Sequence, residues 1–307
     1  MQLKEKNLVI LCGPTAVGKS ATATRLARAL DGEIISCDSM QVYRGFDIGT
    51  DKPSLEEREG IPHYLLDIVT ASEQFTAADF VAAALEAAEE ILAREKIPLV
   101  VGGTGLYLKA LCDGLFPGPG KVPEVRRRLE EECRAKGLEA LYQRLREVDP
   151  DYAKKIGAHD RIRTIRALEV FLTTGKSMTE HFLETKSNVA GFLLVLIGLK
   201  LERSLLYKRI EERVERMFAR GLVREVEGLL ARGISEDSPP FRALGYKHVL
   251  RCLKQEISLE EAVALTKIDT RHYAKRQMTW FQKMKNINWF SADDFPSILA
   301  FAEKSLR

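Results

Sequence analysis

The sequence predicts an α/β protein built on a parallel sheet, with an all-helical insertion and a helical C-terminal extension. Three observations carry that reading. First, Gly13-Pro14-Thr15-Ala16-Val17-Gly18-Lys19-Ser20 fits G-x-x-x-x-G-K-[ST]; an apolar run, Leu8–Leu11, enters it, and a helical pattern with Ala21, Leu26, Ala27 and Leu30 on one face leaves it. Strand, glycine loop and helix in that order make a P-loop, so the core is expected to be P-loop NTPase-like. Second, apolar runs and amphipathic stretches alternate as far as Cys112, which implies parallel strands joined by crossover helices. Third, the alternation breaks at Phe116-Pro117-Gly118-Pro119-Gly120, and the continuous apolar run Phe192–Leu199 then reads as a central strand returning to the sheet.

Taken in order, Glu33–Asp38 is a second strand that ends in an acid, followed by a turn-rich loop from Tyr43 to Pro53. His63–Val69 reads as another strand. Thr76 is a plausible N-cap for an amphipathic helix to Arg94, with Phe80, Leu85, Ile91 and Leu92 on its core face. Pro98–Val101 is a buried strand that Gly102-Gly103-Thr104-Gly105 turns into a helix over Leu106–Cys112. Beyond the break, helices are expected at Glu124–Lys136, Leu138–Val148 and Asp160–Thr174, with no strand. The expected division is therefore a core of residues 1–120 and 190–307 and a helical insertion of residues 121–189. After the returning strand come helices at Arg203–Arg220, Val223–Arg232, Arg242–Leu253 and Ser258 to about Lys285, then a strand at Ile287–Phe290 and a terminal helix.

Composition narrows the class. A chain of 307 residues, 45% hydrophobic and 30% charged, is ordinary for a soluble globular protein. No apolar run approaches the ~20 residues of a membrane helix. Met1–Lys6 leads straight into the first strand, leaving no room for a signal peptide. The five cysteines are odd in number and widely spaced, without a C-x-x-C, which points away from disulfides and zinc and toward a reducing cytoplasm. The net charge of +3 hides an asymmetry: residues 1–111 carry 11 basic and 16 acidic side chains, so the remainder is strongly basic. Residues 242–286 hold 10 basic and 4 acidic residues, and 154–176 hold 6 and 2. Basic blocks attached to an acidic nucleotide-type core suggest a polyanionic partner, although solvated helix faces also read this way.

The candidate chemistry gathers at the carboxyl edge of the sheet. In a P-loop, successive N–H groups and a helix N-terminus converge on phosphate oxygens; Lys19 can neutralise a phosphate and Ser20 can reach Mg²⁺. Asp38 ends a strand at that edge, as a metal-binding acid, a general base or a simple cap of the next turn. Asp67 competes for the metal role. Thr104 offers a hydroxyl on a glycine turn that a tight strand–helix connection explains about as well. Arg209 and Arg213 share a helix face, and Arg213 can reach a diphosphate or form a surface ion pair. Arg271, Lys275 and Arg276 lie among Tyr273, Gln277, Trp280 and Phe281, where cations track phosphates and aromatics pack inward or stack on bases. Gly245-Tyr246-Lys247 is a second polar–aromatic cluster. No N-K-x-D guanine reader and no acid-rich second Walker strand appear, which disfavours a GTPase or a motor. The residues alone leave a P-loop transferase acting on, or assisted by, a nucleic acid.

These blocks together resemble the tRNA dimethylallyltransferase (tRNA isopentenyltransferase) family, over most of the chain. GPTAVGKS is similar to its P-loop; Asp38-Ser39-Met40-Gln41-Val42-Tyr43-Arg44-Gly45 with Asp47-Ile48-Gly49-Thr50 is its most telling block. Gly102–Tyr107, Arg163 and Arg166 with Ala167-Leu168-Glu169-Val170, Gly245-Tyr246-Lys247 and Ala274–Trp280 match further motifs. The zinc finger of some eukaryotic relatives has no counterpart, so the bacterial form is the nearer likeness. The resemblance implies transfer of the dimethylallyl group of dimethylallyl diphosphate to N6 of the adenosine at tRNA position 37, with diphosphate leaving and Mg²⁺ assisting. It implies Asp38 as base, Arg213 on the diphosphate and Thr104 at the reacting centre. It also implies tRNA contacts from Asp38, Ser39, Met40, Gln41, Thr104, Arg126, Arg163, Arg166, Gly245, Tyr246, Lys247, Arg271, Lys275 and Arg276. The anticodon stem-loop is the expected partner of a cytoplasmic, monomeric enzyme. Two other classes stay open: a small-molecule kinase with Asp38 as base and Arg163 and Arg166 as a lid pair, and a non-enzymatic RNA-binding NTPase switch.

Overall fold

The computed structural model describes residues 6–116 and 118–306, so the lead-in Met1–Glu5, Pro117 of the predicted break and the terminal Arg307 lie outside it. The chain divides into two compact units, Met1–Ala110 with Ala190–Arg307, and Leu111–Val189.

The first unit is an α/β core. Strand β1 (Lys6–Cys12) feeds the P-loop and then helix α1 (Lys19–Ala29). Gly18 caps that helix at φ 108°, a left-handed conformation that disfavours any side chain with a Cβ. Strand β2 (Gly32–Cys37) stops one residue before Asp38. The expected strand over His63–Val69 shrinks to β3 (His63–Tyr64). Leu65 at φ 61° and Asp67 at φ 56° turn the backbone out of extended geometry, and Val69 returns only as an isolated bridge to Tyr43. Helix α2 (Ala77–Ala93) starts at Thr76 with a reciprocal capping box to Asp79. Strand β4 (Ile97–Gly102) then leads into α3 (Gly105–Asp113).

The second unit is helical: α4 (Pro123–Lys136), α5 (Leu138–Val148), α6 (Pro150–Ile156), α7 (Arg161–Thr174) and α8 (Met178–Glu184). Two of these, α6 and α8, are additions to the sequence reading. The core of this unit is Leu129, Leu141, Leu145, Ile165 and Leu168, and the buried Glu169 carboxylate is held by Val122 N–H and Arg166.

Back in the first unit come β5 (Phe192–Lys200), α9 (Arg203–Ala219), α10 (Leu222–Ala231), a 3-10 turn at Pro239–Arg242, and α11 (Leu244–Leu253). Then α12 (Leu259–Phe281), β6 (Asn288–Ser291) and α13 (Phe295–Ser305) close the chain. The 3-10 turn delays α11 by two residues relative to the sequence expectation. Helix α12 ends at Phe281 rather than near Lys285, and Asn286 at φ 63° redirects the chain into β6.

The sheet is parallel throughout, in the order β3-β2-β4-β1-β5-β6. β1 therefore lies between β4 and β5, and the carboxyl ends of β1, β2 and β4 share one edge, where open α/β sheets bind ligands. One core cluster joins the sheet to α1, α9 and α13. A second packs Val42, Tyr43 and Phe46 against Met217, Leu222, Phe241 and Tyr246. Phe46 meets Phe241 and Tyr246 edge-on at 5.2 and 5.1 Å. That cluster holds the segment after Asp38; emptying the Phe46 site would cost about 3–5 kcal/mol.

Candidate active site

A cavity of about 280 Å³ opens at the carboxyl edge of the first unit. It is lined by Thr15, Lys19 and Ser20 from the P-loop, Asp38 after β2, Gly102 and Gly103 after β4, and Arg213 from α9. Apolar side chains line it as well, among them Ile34, Val101, Val214, Met217 and Leu244. A pocket with a few polar groups among apolar side chains suits a small amphipathic ligand.

The cations are aimed at the P-loop. Lys19 Nζ donates to Pro14 O at 2.8 Å. The residue as a whole is half-buried, but its ammonium is enclosed, and that burial, with Arg213 close by, lowers its pKa to about 8. Arg213 Nη1 donates to Thr15 Oγ1 at 2.7 Å and lies 3.3 Å from the Asp51 carboxylate. It therefore does form an ion pair, with Asp51 at the rim of the cavity rather than along its own helix. Arg209, on the same helix, donates to Val17 O and pairs with Asp293.

Asp38 does two things with its two oxygens. Oδ1 accepts from Met40 N at 2.8 Å and from Gln41 N at 3.3 Å, which is the turn-capping role. Oδ2 makes no hydrogen bond among the described residues, and the side chain lines the cavity. Thr104 Oγ1 accepts from Ser39 N at 3.2 Å, so the glycine turn and the Asp38 turn are joined. Gln41 is fixed through its amide to Thr50 O and Asp51 O. Tyr273 of α12 also lines the cavity; burial first, then the neighbouring Asp38 charge, raise its pKa.

Sequence reasoning placed Asp67 as a rival metal ligand. Instead its carboxylate pairs at 2.5 Å with Lys52, a buried ammonium that also binds Asp47 and Tyr43 O. Gly245 lines the cavity, but Tyr246 is fully buried: its hydroxyl donates to Glu225 at 2.5 Å and accepts from Gly49 N at 3.2 Å. Lys247 pairs with Asp269 at 2.5 Å. On α12, Arg271 pairs with Glu211 at 2.9 Å, while Lys275 and Arg276 are exposed. In the helical unit, Arg126 meets Glu130 at 3.2 Å, Arg163 meets Asp160 at 3.4 Å, and Arg166 meets the buried Glu169 at 3.1 Å. Asp51, Glu225, Arg242 and the bridging role of Gln277 were not singled out in the sequence. Of these, Gln277 carried a signal: an amide amid the cations and aromatics of Arg276–Trp280. Among the described residues no group of three His, Cys, Asp or Glu gathers to hold a metal. No described helix is long and apolar enough to cross a membrane.

The fold and cavity define a P-loop α/β protein whose cavity is lined by both P-loop residues and apolar side chains. Comparison with known proteins is more specific. The family model for IPP transferase matches residues 41–284. A tRNA dimethylallyltransferase of Geobacter sulfurreducens is 49% identical over 97% of this chain and 96% of its own. One of Thermomicrobium roseum is 46% identical over 99% and 93%. Among solved structures, the tRNA isopentenylpyrophosphate transferase of Bacillus halodurans is 40% identical with a TM-score of 0.73, covering 98% of this chain and 97% of that one. A eukaryotic dimethylallyltransferase, described as acting on tRNA, gives 31% identity and a TM-score of 0.77, covering 97% and 77%. The chain belongs to the IPP transferase family.

Proposed function

We propose that this chain transfers the dimethylallyl group from dimethylallyl diphosphate to N6 of the adenosine at tRNA position 37 and releases diphosphate. The observation that carries the reading is that Lys19, Arg213, the P-loop, the Asp38 carboxylate and several apolar side chains line one cavity. It occurs in a chain whose relatives, aligned over nearly their full length, are tRNA dimethylallyltransferases.

Each group has a task that its surroundings support. The N–H groups of the P-loop, with Lys19 and Arg213, hold the diphosphate and stabilise the charge that develops as it leaves. The apolar side chains take the five-carbon chain. An exocyclic adenine amine is a weak nucleophile, and Asp38 Oδ2 accepts its proton as the C–N bond forms. Thr104 is tied to Ser39 N, next in the chain to Asp38, and takes the role of a contact of the reacting centre that the family resemblance implies. Mg²⁺ fits this donor set: it prefers oxygen ligands and keeps several waters, taking one or two protein groups and the substrate phosphates. Ser20, on the cavity wall, would hold it, and the bound ion would neutralise diphosphate charge.

A base within a stacked loop cannot reach Asp38, so the adenosine is flipped into the cavity, at a cost of a few kcal/mol. Lys275 and Arg276 on α12 bind the anticodon stem-loop, and the cationic helices of the second unit are further candidates for contacts with the same RNA. The kinase alternative asks for Arg163 and Arg166 as lid cations, and Arg166 is already held by the buried Glu169 and by Pro119 O and Gly120 O.

Incubation with unmodified tRNA and either labelled dimethylallyl diphosphate or labelled ATP tests the reading. Label is expected in tRNA from the prenyl donor. Transfer from ATP to a small acceptor would replace prenyl transfer with kinase chemistry.

A further inference from the structure

Gln277 sits near the end of α12 with 4% of its surface exposed, and its amide is used at both ends. Oε1 accepts from Thr15 N at 2.8 Å, and Nε2 donates to Gly103 O at 2.8 Å. The fit is tight: a Cβ placed on Gly103 would lie 2.2 Å from Nε2. One turn further along α12, the Trp280 ring lies 3.0 Å from where Gly105 would carry a Cβ. The glycine turn after β4 is thus moulded to this helix.

Each contact fixes a peptide group that bears on the chemistry. In the Pro14–Thr15 peptide, the N–H goes to Gln277 and the carbonyl receives the Lys19 ammonium. In the Gly103–Thr104 peptide, the carbonyl goes to Gln277 and the N–H bonds to Cys37 O at 3.4 Å. Gln277 therefore sets both the anchor of the phosphate-binding lysine and the approach of Thr104. An amide suits this place because it offers one acceptor and one donor in a fixed plane; a carboxylate or an apolar isostere offers less.

We infer that Gln277 is a positioning residue that locks the phosphate loop to the Thr104 turn, coupling diphosphate binding to the geometry of prenyl transfer. The inference rests on the prenyl-transfer reading for its second half only. Gln277 belongs to the same helix as Lys275 and Arg276 and itself lines the cavity, so it also ties the helix that carries those cations to the phosphate loop.

Two variants test it. Gln277→Met keeps the volume and loses both bonds. Its affinity for inorganic diphosphate, by titration calorimetry, is expected to fall by about tenfold, and kcat by about a hundredfold, with KM for tRNA nearly unchanged, since both bonds are lost and their buried partners are left unsatisfied. Gln277→Glu is a pH-dependent mimic. Protonated, it offers the same donor and acceptor as glutamine; ionised, it faces Gly103 O with a lone pair. Its activity relative to wild type is expected to rise as pH falls from 8 toward 6 by roughly tenfold, while the Met variant stays flat. A purely structural role would lower melting temperature without that pH signature. Diphosphate affinity of the Met variant within about twofold of wild type, or a pH-independent ratio for the Glu variant, overturns the inference. Wild-type protein that binds inorganic diphosphate but transfers no prenyl group overturns the functional reading instead, and leaves the calorimetric test of Gln277 in force.

Discussion

Arg213 Nη1 stands 2.7 Å from Thr15 Oγ1 and 3.3 Å from the Asp51 carboxylate, so α9 delivers a guanidinium to the mouth of the phosphate loop with both acceptors fixed in advance. A guanidinium serves two acceptors in one plane; a lysine ammonium keeps the charge and loses the fork. Arg213→Lys is expected to lower kcat/KM for dimethylallyl diphosphate by about 10- to 100-fold, the equivalent of one charged hydrogen bond of about 1.5–3 kcal/mol. Steady-state kinetics with saturating tRNA give the comparison. An unchanged value would remove Arg213 from diphosphate binding.

Lys19 gives the pH test. Burial and Arg213 bring its pKa down to about 8 from its ordinary 10.5. Below about pH 8 the ammonium is charged in both folded and unfolded chains, and the cost of burying it is fully present. Between 8 and 10.5 the unfolded chain holds a proton the folded chain lacks, so this group's contribution to stability rises with pH across that window. Ligand binding runs the other way: kcat/KM for the diphosphate donor should fall by up to tenfold per pH unit above about 8. Binding of inorganic diphosphate at pH 8.5 should take up a proton, read by calorimetry in buffers of different ionisation enthalpy. Proton exchange identical in wild type and Lys19→Met would show that Lys19 does not meet the anion.

What the sequence displayed was local chemistry. The P-loop, the acid after β2 and the glycine turn after β4 are each contiguous, and their strand-end positions follow from hydrophobic pattern alone. The locks between them were not legible, because they join distant positions. Gln277 bonds to Thr15 across 262 residues and to Gly103 across 174, and Glu225 caps a loop some 177 residues away. The His63–Val69 run was misread because apolar content hid two left-handed residues, and the same error sent Asp67 toward a metal rather than to Lys52. Helices α6 and α8, at seven residues each, are too short for periodicity. Their caps were readable all the same: Asp149 before Pro150, and Ser177 with Glu180 three residues on.

Tyr246 separates packing from RNA recognition. Its ring is fully buried, and its hydroxyl sits between Gly49 N and Glu225, which also accepts from Asp47 N and Ile48 N. Tyr246→Phe removes the hydroxyl's bonds to Gly49 N and to Glu225 but leaves those two bonded to each other at 3.3 Å, so a loss of about 0.5–1.5 kcal/mol is expected in chemical denaturation. The salt dependence of tRNA affinity should stay as in wild type. A shallower salt slope with unchanged stability would instead assign the residue to the RNA surface.

The exposed cations of α12 make the opposite prediction. Lys275→Ala with Arg276→Ala should weaken tRNA binding and flatten the plot of log affinity against log salt by about 0.7 per lost phosphate contact on single-stranded RNA. Stability should change little, since both side chains are exposed. Filter binding at several salt concentrations measures the slope; an unchanged slope would place the anticodon stem-loop elsewhere.

Asp38 holds two roles that a single substitution can part. Oδ1 organises the turn through Met40 N and Gln41 N, while Oδ2 is the proposed proton acceptor. Asp38→Asn retains an oxygen for the turn and loses the basic carboxylate. Asp38→Ala loses both. The Asn variant should therefore keep wild-type stability and tRNA affinity within about threefold, yet lose 10²- to 10⁴-fold in kcat, the usual span for a positioned general base. The Ala variant should lose the same activity and, in addition, about 1 kcal/mol of stability from the two unfulfilled N–H groups. If Asn restores turnover to near wild type, the carboxylate is a turn cap alone, and the proton of the adenine amine must leave by another group; if Asn is inactive but fully folded, the base and the cap are distinct functions of one side chain.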